Sequence, residues 1–259
     1  MGLLLKVGIN IDLIHSALMA FLTISLLIIL INKVPEINML FPNYSLQLGG
    51  LIGNTSFLGI PIAIALLPTD TINHTIGFDL GTTLFSWIFG PYLLQNTNNN
   101  IYYLNFKKLL ISILNSPASR GIIGVLIIYL FGLDDVVGNF LWLPARFVIS
   151  VAIIVVGTRL GIIANNKKIS IQFEKNIQYS ILLKLLILPV IIYLICQILN
   201  LQDKDTVALV LQAATPSAIS TILMAEAYKI NRDLAAKTLF ITTIISFITI
   251  PLIVLFINF

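Results

Sequence analysis

The chain has 259 residues, 58% of them hydrophobic and 10% charged, with a mean hydropathy of +1.00 and a formal charge of +4. That composition excludes a soluble globular domain, and the short polar stretches between apolar runs leave no room for a separate catalytic domain. The basic residues are scattered through loops, so the positive charge reads as membrane topology and no nucleic-acid partner is expected.

The opening, MGLLLKVGINID, lacks the plan of a cleaved signal peptide, which leaves insertion to the first span. Windows of about 20 residues predict membrane helices at 14–32, 46–67, 75–94, 109–131, 140–163, 177–199, 205–228 and 237–257. The fourth carries Asn115, Pro117 and Arg120 in its first half. Cys196, the only cysteine, sits in the sixth, so no internal disulfide can form. Lys33, Lys107, Lys108, Lys167, Lys168, Lys175, Lys229 and Arg232 gather on one side of this layout. The other side holds Lys6 and Lys204 beside Asp70, Asp134, Asp135, Asp203 and Asp205. The bias makes the first side cytoplasmic and puts both termini outside.

Two of the predicted helices are interrupted. GNTSFLGIP, Gly53 to Pro61, and LVLQAATPSAISTIL, Leu209 to Leu223, place glycine, proline, amide and hydroxyl residues at membrane depth. Proline lacks an N–H and clashes with the carbonyl four residues back, so Pro61 and Pro216 are each expected to break a helix and free backbone groups that lipid cannot satisfy. Gly53 and Gly59 would let another backbone come close, while Asn54, Thr55, Ser56, Gln212, Thr215 and Ser217 add donors and acceptors. Pro61 and Pro216 lie 155 positions apart, the offset that also carries Gly2 onto Gly157. With five crossings between equivalent helices, the halves 1–100 and 101–259 form an inverted repeat within one membrane domain. If the breaks cross, half-helix ends converge near the midplane and can bind an ion or a polar solute. The plain alternative is that proline, glycine and small polar residues simply serve helix packing.

At these residues a family pattern is visible. GNTSFLGIPIAIALLP resembles the fourth-helix signature of the auxin efflux carrier family, and ATPSAISTILMAEAYKINRDLAAKTLFITTIISFITIPL resembles its ninth and tenth helices, with AEAY at Ala225 to Tyr228 and the Thr243, Ser246, Pro251 pattern. The resemblance implies an all-α integral membrane fold of ten helices in two inverted repeats, shared with bile acid and sodium transporters, and secondary transport of organic anions. About eight of the ten helices are present, the first two of repeat one being expected to be missing. Carried over by residue, the substrate site maps to Asn54, Thr55, Phe57 and Pro61 on the first broken helix and to Gln212, Thr215, Pro216 and Ser217 on the second. The resemblance also implies a core of the broken helices with 75–94 and 237–257, and a scaffold and homodimer surface that includes 14–32 and 140–163.

Asp79 is a candidate for ion or proton coupling, since intramembrane carboxylates are costly; the alternative is a hydrated residue near the outer interface. Arg159 and Lys184 are expected to snorkel to an interface, Arg159 with the further option of pairing with Asp79 or an anionic substrate. Glu226 is expected beside Lys229 at the cytoplasmic boundary. His15 and His74 lack companions at ligand spacing, so no metal site is expected. Gly77 and Gly81 suggest a close helix contact. No phosphate-binding or nucleophile motif is present, which supports neither ATP-driven transport nor enzyme chemistry.

The leading reading is a secondary or facilitative carrier of a small organic anion in a bacterial inner membrane, with lipid and substrate as partners and no cofactor beyond H⁺ or Na⁺ as coupling ion. A sodium-coupled symporter of the bile acid type and a truncated, non-transporting relic or partner subunit are the alternatives.

Overall fold

The computed structural model describes residues 2–95, 117–165 and 174–257, and every regular element among them is helical. In chain order these are α1 (Gly2–Val7), α2 (Ile11–Lys33), α3 (Pro35–Leu40), α4 (Tyr44–Leu51), a π-turn at Thr55–Gly59, α5 (Ile60–Leu66), α6 (Ile72–Gln95), α7 (Pro117–Leu130) and α8 (Asp134–Asn165). There follow α9 (Lys175–Leu182), a second π-turn at Leu183–Ile187, α10 (Leu188–Ile198), α11 (Asp203–Ala213), α12 (Ser220–Ala227) and α13 (Arg232–Ile257). All eight predicted spans coincide with helix, although the first part of the 109–131 span lies outside the described residues. Ile11–Lys33, Lys175–Ile198 and Arg232–Ile257 are each long and apolar enough to cross a membrane.

The second helix shows how the sequence sets such an element. Asn10 Oδ1 accepts the Leu13 N–H at 2.9 Å to cap its start, Asp12 and Lys33 complement the dipole at its two ends, and Pro35 forces Val34 out of the helical region. Ala20, Ile24, Ile28 and Ile31 are buried on one face, while Leu18, Leu22, Leu26 and Leu30 are exposed on another. Spacing of three or four residues on both faces gives one stripe for protein and one for lipid.

Gly77 and Gly81 make the close helix contact their spacing suggests. A Cβ on Gly77 would run into the Leu13 carbonyl, and one on Gly81 into that of Ala17. This contact packs α2 against α6 along much of their length, so 14–32, expected in the scaffold, lies against a helix expected in the core. The 177–199 helix likewise lies against the first broken helix, through Ser180 Oγ donating to the Leu46 carbonyl at 2.7 Å. The other side of the molecule holds α1, α7 and α8. A Cβ on Gly2 would stand 2.9 Å from the Leu141 carbonyl, which packs α1 against α8. Between α1, α2, α6 and α7 lies a cavity of about 480 Å³ with an entirely apolar lining that includes Leu4, Leu13, Leu80 and Val125.

Both π-turns end two residues before a proline, Gly59 before Pro61 and Ile187 before Pro189. A widened turn lets the chain pass a residue that can neither donate nor tolerate the carbonyl four back. Pro61 therefore does not break its helix as expected; it sits in the first turn of α5, after a π-turn that absorbs it. The actual first interruption is at Ile52–Asn54, so the interruptions do not align at the offset of 155 between the prolines.

Candidate functional site

The two interruptions meet. Gly53 and Ser217 face each other in an isolated antiparallel bridge, flanked by bonds from Asn54 N–H to the Pro216 carbonyl at 2.7 Å and from Ala218 N–H to the Ile52 carbonyl at 2.9 Å. Gly53 and Ser217 exchange no bond themselves, which is the closer of the two antiparallel pairings. A Cβ on Gly53 would lie 2.5 Å from Thr215 Oγ1 and 2.9 Å from Lys184 Nζ.

The backbone groups freed by Pro216 can be accounted for one by one. The Gln212 carbonyl, which Pro216 cannot reach, accepts from Thr215 Oγ1 at 2.7 Å. The Ser217 N–H turns to Thr242 Oγ1 at 3.1 Å, and Ser217 Oγ donates to the Gly49 carbonyl at 2.5 Å. That leaves the Ala213 carbonyl at the end of α11, and the Lys184 ammonium donates to it at 2.6 Å. Lys184 is only 1% exposed, so it does not snorkel; it reaches the crossing from the second π-turn.

Of the residues expected at the site, Asn54, Thr55, Gln212, Thr215 and Ser217 are buried at or beside the crossing, Ser217 in the bridge itself, and the Pro216 carbonyl accepts one of the bonds that flank it. Phe57 is 42% exposed and takes no part in it, and Pro61 lies in the first turn of α5. Gln212 is the exceptional member. It is fully buried, a Cβ on Gly59 would collide with its amide, and neither its Oε1 nor its Nε2 has a hydrogen-bond partner.

Asp79 lies on α6 beside the first broken helix, where Thr55 Oγ1 and Ser56 Oγ both donate to its Oδ1 at 2.6 Å. Its partners are thus hydroxyls of the π-turn. The Arg159 side chain lies outside the described residues. Toward the end of the bundle that carries the α5–α6 and α10–α11 connections, His74 Nδ1 is 2.8 Å from Ser16 Oγ and its Nε2 is 3.5 Å from Asp205 Oδ1, which ties α2, α6 and α11 together. In the same region Lys204 bonds Asp70, and Asp70 is held below the usual carboxylate range chiefly by that bond. At the opposite end Glu226 pairs with Arg232 Nε at 2.7 Å, not with Lys229.

Lys184 was expected to snorkel and lies instead at the crossing, while Ser180 and Thr242 drew no expectation from the sequence. The signal for Lys184 was present in LLKLLILP, a charge in an apolar run followed by a proline.

A family model described as membrane transport protein matches residues 104–254. The chain is also similar to an uncharacterized transporter of Methanocaldococcus jannaschii, 23% identical over 215 residues that cover 80% of this chain and 67% of the relative.

Proposed function

Since the chain belongs to the membrane transport protein family, that of the auxin efflux carriers, we propose that this membrane transporter carries a small organic anion such as a carboxylate, by alternating access around the crossed helices. The Gln212 amide carries the reading. A buried amide with both polar atoms unpartnered, at a point where half-helices end, calls for a polar ligand or water. The N-terminal end of the half-helix that begins at Thr55 favours negative charge there.

On this reading Asn54, Thr55, Gln212, Thr215, Pro216 and Ser217 bind substrate, with Phe57 and Pro61 at the margin of the site. Asp79, held by two hydroxyls of the first broken helix, is the group assigned to coupling with H⁺. Residues 1–100 and 101–259 are taken as inverted repeats, α8 as part of a homodimer surface and a bacterial inner membrane as the location, and the loop charges support both termini outside.

The test is thermal stability of the purified protein with a panel of dicarboxylates and aromatic carboxylates, beside Asn54→Ala and Gln212→Ala. One acid is expected to raise the melting temperature of the unaltered protein and of neither variant. No shift from any acid, with folded protein, would transfer support to a non-transporting partner subunit.

A further inference from the structure

We infer that the Lys184 ammonium is a tethered cation: it fills the place at the crossing where a free monovalent cation would otherwise bind, so the protein needs no bound Na⁺ there. Three observations carry this. The first is burial without a carboxylate. Lys184 is 1% exposed, yet its hydrogen-bond partner is a backbone carbonyl, and among the described residues no acidic residue pairs with it. A buried charge is costly unless it is compensated. Here the compensation comes from a dipole, the carbonyl at the C-terminal end of α11, where partial negative charge accumulates.

The second observation is the donor set. The Ala213 carbonyl, the Thr215 hydroxyl and the unpartnered Gln212 Oε1 are uncharged oxygens around an unwound segment, the kind that coordinates Na⁺ in interrupted transporter helices. Thr215 Oγ1 and Lys184 Nζ both lie against the single missing Cβ of Gly53, and Nζ is bonded to the Ala213 carbonyl, so the ammonium stands at two of these oxygens, while Gln212 Oε1 lies against Gly59 without a partner. The third is delivery. The π-turn Leu183–Ile187 places Lys184 toward the crossing while its neighbours Leu183 and Leu185 stay buried in apolar surroundings. Asp79, the nearby acid, is engaged by Thr55 and Ser56.

The inference rests on the geometry of the crossing and not on the substrate assigned above. Its experiment contains no organic acid, so its failure leaves that assignment untouched. Melting temperature is measured for the purified protein in NaCl and in choline chloride at equal ionic strength, and for Lys184→Ala with propylammonium, which restores the atoms that substitution removes. The unaltered protein is expected to be indifferent to Na⁺. Lys184→Ala is expected to melt lower and to regain at least about 3 °C with millimolar propylammonium or Na⁺. Saturable stabilisation of the unaltered protein by Na⁺ would overturn the inference, as would a folded Lys184→Ala that no cation restores. Should Lys184→Ala fail to fold, Lys184→Arg and Lys184→Met decide. The charged variant melting at least about 3 °C above the neutral one supports the inference, and equal melting overturns it.

Discussion

Gly53 lies so close to Thr215 that a single added carbon would sit 2.5 Å from the threonine hydroxyl, inside any allowed contact. Alanine at position 53 should push the broken helices apart at their bridge and destabilise the protein by about 2 kcal/mol, as overpacking of a tight interior does. Gly121 provides the control. A Cβ there meets nothing within 4 Å, so Gly121→Ala should be neutral or stabilising by about 0.5 kcal/mol. Chemical or thermal unfolding of both in one detergent checks the contrast.

Gln212→Leu should have the opposite effect on stability. The change removes two buried polar atoms that lack partners and keeps most of the volume, so folding should improve by about 1–2 kcal/mol. Any acid-induced rise in melting temperature should vanish with it, the usual exchange between stability and function at a binding group. A less stable Gln212→Leu protein would mean that the amide is satisfied by water and is structural.

Gly81→Val should separate α2 from α6. Its Cβ would overlap the Ala17 carbonyl, which is backbone and cannot move aside, so a loss of about 3 kcal/mol is expected. Unaltered thermal stability in this variant would refute the close contact.

Ser56→Ala removes one of two hydroxyls on a single carboxylate oxygen of Asp79 and should cost about 1.5 kcal/mol. In an Asp79→Asn background the same change should cost less, because the charged acceptor is gone. A double-mutant cycle on unfolding free energy measures that difference.

The Asp70–Lys204 pair should make a small, salt-sensitive and pH-dependent contribution at the surface. Lys204 lowers the Asp70 carboxyl, so this contribution is complete above the ordinary carboxylate range, about pH 4, and is lost as pH falls through the depressed value. Asp70 in turn raises Lys204, so the same contribution is complete below about pH 10 and is lost as pH rises through the raised value. The difference in melting temperature between the unaltered protein and Lys204→Gln should shrink toward zero at the acid end, and also in 1 M salt.

Most helices were legible because apolar runs near 20 residues are set by bilayer thickness, a constraint that needs no partner. The broken segments were legible too, since glycine, amide and hydroxyl residues at membrane depth are readable one at a time. The exact place of the first interruption was not. Pro61 drew attention to itself, but a π-turn can absorb a proline, and the chain opens instead at Gly53, where the partner backbone passes. Lys184 was misread for a related reason. Snorkelling is a property of a lone helix, whereas the fate of a lysine in a bundle depends on which carbonyl another helix leaves free, here Ala213, 29 residues away.

The two short bonds that flank the bridge have a mechanical consequence. They run across the chain direction in opposite senses, so neither segment can slip along the other without breaking both and presenting alternate groups. The interrupted helices are in that respect spliced into one member. Whatever displacement the protein undergoes, the strain falls on the connections at the ends of these helices, such as Leu67–Pro68 and Tyr228–Asn231, while the junction travels as a unit with its geometry intact.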